Sequence, residues 1–402
     1  MSVLPSITHK GIGQLVLVSV LALASLTAGA IETTISAQYR GGGSGRFEST
    51  TPPAANCSIW GRLCITNITV DIPLAYDKLT IRGTGDPRDL YYLQMPGRRE
   101  VDVYHEQTGE PHRLVLEFTA VGHRVYSDDY YSNPVKLTTQ LAGGCKSMSG
   151  LGAQTPRTYT FLWRLVTPQS PTPCTISNYV VEDGVANAST TSNMAVAYTL
   201  DMPPSYRMKP GIYRGSTTYR VGPGGDFDFG NNVTGLSDNT LTLNFVLDVQ
   251  HDFIFDFPPG SDRAVLEPEG GWMAWLNGGR VPQRLYRDLP MQVWSTGPLK
   301  VYKLCDYDMG DRCGIRNEKG EGVPVHVLIT LPEGVRYRGG PVQRLKIPTG
   351  PAAAVQLESV MPTINRPGQL HFEVKRDDVV PMFNRPGMTY SGKVTIVFDS
   401  EL

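Results

Sequence analysis

Residues 389–402 (TYSGKVTIVFDSEL) constrain this chain more than any other stretch. From Lys393 onward, Val394, Ile396 and Phe398 alternate with Lys393, Thr395 and Val397, the period-two pattern of a half-buried strand. The sequence then stops at Leu402, leaving no residues for a following edge strand. A bare apolar edge presents unpaired N–H and C=O groups that template pairing with any strand that arrives. The expectation is therefore a C-terminal sheet that another polypeptide completes.

The 402 residues predict two or three domains. With 37 Lys+Arg against 38 Asp+Glu there is no bulk charge to attract nucleic acid, and no nucleic-acid partner is expected. Residues 1–30 read as a signal peptide: Lys10 precedes the apolar run 15–26 (LVLVSVLALASL), and Ala28-Gly29-Ala30 supplies small residues for cleavage. Export makes the six cysteines a disulfide set. Six allow fifteen pairings; nearest-neighbour bridges Cys57–Cys64, Cys145–Cys174 and Cys305–Cys313 are preferred because two of the loops are short. No CxxC or nearby histidine suggests zinc.

Runs rich in β-branched and aromatic residues, separated by turn residues about every ten positions, predict an all-β protein. Strands are expected at 32–38, 65–72, 79–81, 100–104, 113–120, 134–140 and 158–165, then at 213–221, 240–249, 253–257, 291–294, 300–304, 323–331, 356–359 and 371–375, and at the terminus. The Gly 42 and Pro 31, spread along the chain, suit this better than a helical fold. Only 352–360 offers a short helical candidate. Three prolines and a glycine within 202–211 read as a stiff connector. The predicted division is an N-terminal domain at 31–205, a linker at 206–211 and a C-terminal domain at 212–402, both β-sandwiches.

Several motifs together carry a family resemblance: the Gly211-Ile-Tyr-Arg-Gly215 turn with Tyr219, the loop 225–230 (GDFDFG) and the terminal Tyr390-Ser-Gly-Lys-Val-Thr-Ile-Val-Phe398. With the leader and two β domains, they resemble the minor tip subunits of class 5 fimbriae, the colonisation-factor tip adhesins and cable-pilus initiators of the alternate chaperone/usher pathway. The resemblance is most specific in 211–402. It implies two immunoglobulin-like sandwiches: an adhesin domain, then an incomplete pilin domain that accepts a donor strand from the major pilin subunit. It further implies a periplasmic chaperone, an outer-membrane usher, a host glycan or glycoprotein receptor, and a place at the fimbrial tip on the cell surface. Val394, Ile396, Phe398, Leu243, Phe245 and Leu247 are the candidate groove residues. The resemblance also implies an adjacent arginine pair late in the first domain; this chain has Asn187-Ala-Ser-Thr-Thr-Ser-Asn193 there and carries its adjacent pair as Arg98-Arg99.

Receptor candidates are Arg98 and Arg99, placed after Met95-Pro-Gly97 where guanidinium groups would be free to grip a carboxylate, with Arg82 and Arg164 behind them. Tyr130 and Tyr131, in the segment 128–131 (DDYY), offer apolar faces for a sugar. Each reading competes with a bland one, a solvated turn for the arginines and core packing for the tyrosines. The alternating carboxylates of 306–311 (DYDMGD) resemble a calcium loop but lack the twelfth-position Glu; a tight disulfide loop is preferred. Asp226 and Asp228 read as outward-facing neighbours of Phe227 and Phe229. No GxSxG, HExxH or Walker motif occurs, so no enzyme, cofactor or metal is expected. The rival readings are a secreted two-domain carbohydrate-binding or carbohydrate-active protein, and a cell-surface domain pair glycosylated at sequons such as Asn56 and Asn232.

Overall fold

The computed structural model of the chain describes residues 31–41, 46–58, 64, 67–129, 131–135, 140–148, 155, 157–177, 181–384 and 387–399. The expected leader and Tyr130 lie outside them. The protein is all-β, with 54% of it in strands.

The first core is built around β1 (Ile31–Arg40), β2 (Ile68–Ile72), β3 (Tyr76–Ile81), β4 (Arg99–His105), β5 (Pro111–Tyr126), β6 (Thr158–Leu165), β7 (Ala186–Asp201), β8 (Gly211–Arg220) and β9 (Thr240–Gln250). The 16-residue β5 is its central beam. One edge of β5 pairs with β7; the other pairs first with β4 and then with β6. In turn β7 pairs with β3 and then with β2, changing partner at a bulge where Asn193 has φ +50°. On the far side β4 leads to β8, β8 to β9, and β9 to a parallel β1. The sheet curls until β1 lies beside β2, where Thr33 Oγ1 donates to the Asp71 carbonyl at 3.1 Å. A separate three-stranded sheet (Tyr91–Leu93, Cys174–Ser177, Gln140–Gly143) adds Tyr91, Leu93 and Ile176 to the same core.

A second core follows two residues after β9. It contains β10 (Phe253–Asp256), β11 (Arg284–Ser295), β12 (Leu299–Cys305), β13 (Cys313–Arg316), β14 (Gly322–Thr330), β15 (Val355–Ser359), β16 (Thr363–Lys375), α1 (Arg376–Phe383) and β17 (Val394–Asp399). One sheet runs β10-β11-β16-β14-β13; the other runs from Val335–Tyr337 through β15 and β12 to β17. Leu285, Met291, Val293, Val301, Val327, Ile329 and Val374 fill the space between them. The short α1 crosses from β16 towards β17, with Asp377 and Asp378 in its first turn where the helix dipole favours anions.

The expected boundary at 206–211 is corrected by the pairing: β8 and β9 belong to the first core. Strand β9 is zipped between β8 and β1, and Leu241, Leu243, Phe245, Leu247 and Val249 are all buried there. The Pro-rich segment is a turn inside that unit, with Met208 fully buried. The cores divide at His251–Asp252 instead.

All three nearest-neighbour disulfides are present. Two of them join sheets. Cys145 sits on a strand paired with β6 while Cys174 lies in the three-stranded sheet, and Cys305 ends β12 while Cys313 begins β13 of the opposite sheet. Each such closure contributes about 2–4 kcal/mol by restricting the unfolded chain.

His123 is wholly buried among the rings of Tyr76, Phe161 and Phe229, and burial pushes its pKa down to about 3. The unfolded chain binds a proton near pH 6.5 and the folded chain does not. Its contribution is therefore complete above pH 6.5 and is lost as pH falls from 6.5 towards 3, by up to about 1.4 kcal/mol per pH unit. Melting temperatures of His123→Phe across pH 4–7 are expected to fall less steeply than those of the parent; parallel curves would show that His123 does not set the acid limb.

Candidate functional site

Strand alternation places Phe253, Phe255 and Phe257 on the inner side of one sheet and Val394, Ile396 and Phe398 on that of the other. Both strands sit at edges. Among the described residues β10 pairs only with β11, and β17 only with β12. The two edges face each other, because the Phe255 and Phe398 rings stack with centroids 3.7 Å apart at 17°. The result is a seam between the sheets along which two rows of backbone N–H and C=O groups lack a neighbouring strand.

Side chains along this seam are only partly covered. No side chain of β17 is fully buried. Along β10, Phe253 and Phe255 are half-buried, while Ile254 faces outward at 54% exposure. Among the described residues, 17 half-buried apolar side chains border the 18 buried ones of the second core, against 7 bordering 39 in the first. Tyr390, Met382 and Phe383 extend the half-covered surface at one end, where Trp275 meets Phe383 at 4.7 Å.

The wall behind β17 is firmly anchored. Lys303 on β12 is buried, its ammonium donating to the carbonyls of Asp311, at 3.0 Å, and Ile347. Burial pushes its pKa down. Asp311, a member of the carboxylate run 306–311, pairs with Lys346, which holds its carboxyl below the usual range. That carboxylate is a partner for an ammonium, within a loop closed by the Cys305–Cys313 disulfide.

The predicted groove set therefore divides. Val394, Ile396 and Phe398 line the seam. Leu243, Phe245 and Leu247 do not: they are buried between β8 and β1 in the first core, and their assignment to the groove is corrected. The partners sequence reasoning missed are Phe253, Phe255 and Phe257. Their alternation was legible, but nothing local says that the strand lies on an edge.

The arginines are dispersed among separate partners. Arg99 stacks 4.0 Å over the Tyr219 ring and donates to the Thr218 carbonyl at 2.7 Å and to Asp226 at 3.3 Å. Arg98 is exposed, 3.7 Å from Glu117; Arg82 pairs with Asp183; Arg164 is exposed on β6. Tyr131 is 63% exposed. The outward reading of Asp228 is corrected: it is buried between the fully buried Phe227 and Phe229, and Arg88 grips it at 2.7 and 3.0 Å.

Among the described residues, two buried histidines meet hydroxyls: His123 Nδ1 lies 3.4 Å from Tyr91 Oη in the first core, and His371 is held in the second. His371 Nδ1 lies 2.7 Å from Asp288 and its Nε2 lies 2.8 Å from Thr330 Oγ1, across β11, β16 and β14. The Arg344 amide also donates to that hydroxyl, and its guanidinium reaches Glu373. The group clamps three strands together.

The half-buried and buried phenylalanines separate by measurement. Phe398→Ala is expected to cost about 1–2 kcal/mol, from half its burial plus one ring stack, whereas Phe245→Ala should cost about 3–5 kcal/mol. Denaturant titration reads both; equal losses would contradict the assignment of Phe398 to an open seam.

No family model matches the chain, and no curated protein matches it. Among solved structures it is similar to a chaperone–tip adhesin complex of CFA/I fimbriae biogenesis, at 12% identity and a TM-score of 0.25, over 81% of this chain and 83% of that chain. It is also similar to the CsuC–CsuE chaperone–tip adhesion subunit pre-assembly complex from the Csu pili of Acinetobacter baumannii, at 9% identity and 0.22, over 92% and 98%. The C-terminal domain of the Streptococcus agalactiae AgI/II polypeptide BspA follows at 10% and 0.14, over 75% and 97%. At TM-scores this low the superpositions carry no argument, and the seam itself has to bear the functional reading.

Proposed function

We propose that this chain is a minor tip subunit of a bacterial fimbria, whose second unit is completed by a strand donated from the major pilin subunit. The observation that supports this most is the pair of facing edges, β10 and β17, with half-buried phenylalanines on both. A strand inserted between them pairs its backbone with both edges and lays alternate side chains over Phe255, Ile396 and Phe398. Before assembly a periplasmic chaperone covers the same surface and presents the subunit to an outer-membrane usher. The first unit, with a closed core of its own, is the adhesive end and meets a glycan or glycoprotein on the host surface. The chain acts by binding, with no reaction to catalyse.

Completing the seam has a measurable size. Full burial of a large apolar side chain is worth roughly 1.5–3 kcal/mol, and about half of that remains to be gained at each seam position. After the ordering of the donated strand, a net gain of about 3–5 kcal/mol is reasonable, or about 10 °C or more in melting temperature for a unit of this size. The mature chain, alone and fused after Leu402 through a short linker to a major-subunit donor strand, is compared by calorimetry and soluble yield. A rise of that size on fusion is expected; identical yield and melting temperature would sink the open-groove reading.

A further inference from the structure

We propose that the end of the first unit farthest from the second binds an uncharged sugar ring, in a cleft between Tyr126 and Leu79. This deepens the adhesive part of the function proposed above and rests on it. The site differs from every arginine the sequence nominated.

Position comes first. The Pro111 end of β5 pairs with Tyr104, next to His105, which together with Lys300 of the second unit lines a cavity of about 800 Å³ at the junction of the two units. At about 3.3 Å per residue, the 16 residues of β5 have a contour length of roughly 50 Å, and Tyr126 is at the end opposite the junction. A surface at that end is presented ahead of anything the second unit is attached to.

The register then builds the cleft. Thr190 of β7 stands between Asp77 of β3 and Tyr126 of β5, and two residues along β7 Ala188 is opposite Leu79. These side chains, with Asp128, line a cavity of about 180 Å³, shallow and open to solvent. The small side chain of Ala188 leaves the floor low. Leu79 and Tyr126, 42% and 39% exposed, form its walls. Two large apolar groups left in water on either side of a low floor suit the flat C–H face of a sugar ring.

The polar groups fix the class of ligand. Tyr126 Oη donates to Asp128 Oδ1 at 2.8 Å, and Thr190 Oγ1 donates to Asp77 Oδ1 at 2.7 Å. Each carboxylate is oriented by its neighbour and keeps acceptor capacity for sugar hydroxyls, in charge-assisted bonds. The cation in the lining, Lys78, is turned inward, its ammonium donating to the carbonyls of Arg88 and Asn231. A sialylated or sulfated glycan would bring a third negative charge to two carboxylates, which like-charge repulsion disfavours.

The test uses the full mature chain fused to a donor strand, probed on an array of immobilised neutral and sialylated oligosaccharides and then by titration with the best neutral hit. Neutral glycans should bind in preference to sialylated ones. Tyr126→Ala and Asp128→Asn should each weaken that binding at least tenfold without lowering the melting temperature, and Ala188→Arg should abolish it by filling the floor. Binding confined to sialylated glycans, no binding to any neutral glycan, undiminished binding by Tyr126→Ala, or a preference for a Lys/Arg peptide over all sugars would each overturn the proposal. The calorimetric shift on donor-strand fusion is read from the same protein, so loss of the sugar site leaves the tip-subunit reading standing, and loss of the shift with sugar binding retained would do the reverse.

Discussion

The second unit is organised by a backbone requirement. A strand satisfies its N–H and C=O groups on two sides or exposes one row of them, and in this unit two strands expose their rows towards each other. The side chains repeat the same deficit, because Phe255 and Phe398 cover one another across the seam without either becoming buried. The remainder of the unit compensates by rigidity. A disulfide ties β12 to β13 of the opposite sheet, Lys303 pins β12 from behind, and the His371 clamp holds three strands of the facing sheet. The two edge strands are thus flanked by β11 and β12, each of which is paired on both sides.

The first unit meets the same requirement by curvature. Its large sheet bends until β1 reaches β2, and the parallel pairing of β1 with β9 covers the flank that would otherwise be open. The contrast goes with a difference in the cores themselves: the first buries many aromatic rings, whereas among the described residues the buried apolar cluster of the second is all Leu, Val, Ile or Met and its aromatics are half-covered at the margin. Residues 211–215 are the start of strand β8 rather than a turn, and with the 225–230 loop they pack into the first core, whereas the terminal 390–398 segment lies in the second.

Most strands were legible because large apolar residues alternate along them, as in 158–165 and 240–249. The strand β7 was not, although it lies at the centre of the first sheet. In the first half of its sequence ANASTTSNMAVAYTLD the inward groups are Ser189 and Thr191, small side chains beside the rings of Tyr76 and Tyr91; beyond the bulge Met194, Val196 and Tyr198 face the main core, while Ala195 and Ala197 pack on the opposite face with Ala54, Ala120 and Leu162. The first half therefore has no hydrophobic signature of its own, and the bulge between Ser192 and Ala195 breaks its register with the apolar alternation of the second half. Helix α1 was hidden for a different reason: Pro381 sits inside it, and only the Asp377-Asp378 pair marks its start. The domain boundary misled because prolines mark a turn as readily as a linker, and only the long-range pairing of β9 with β1 decides between them. Of the candidate site, the terminal strand was readable. Its partner edge was not, since edge position is a property of the sheet.

The junction between the units shows what the displaced boundary means physically. Strand β9, central in one sheet, passes through His251 and Asp252 directly into β10, which borders the seam. These two residues are packed. His251 Nε2 meets the Met208 carbonyl at 2.8 Å, its ring lies against Tyr39, and the Asp252 amide donates to Thr296 Oγ1 at 3.1 Å while its carbonyl accepts from the Thr296 amide at 3.3 Å. A Cβ at Gly297 would fall 2.2 Å from the His251 ring, and one at Gly41 would fall 2.4 Å from the Asp252 nitrogen, so neither position has room for a side chain. A connector this short and this crowded leaves little room for substitution where β9 runs into β10. The two cores are thus joined by a packed continuation of one strand path, and not by the proline-rich segment 202–211.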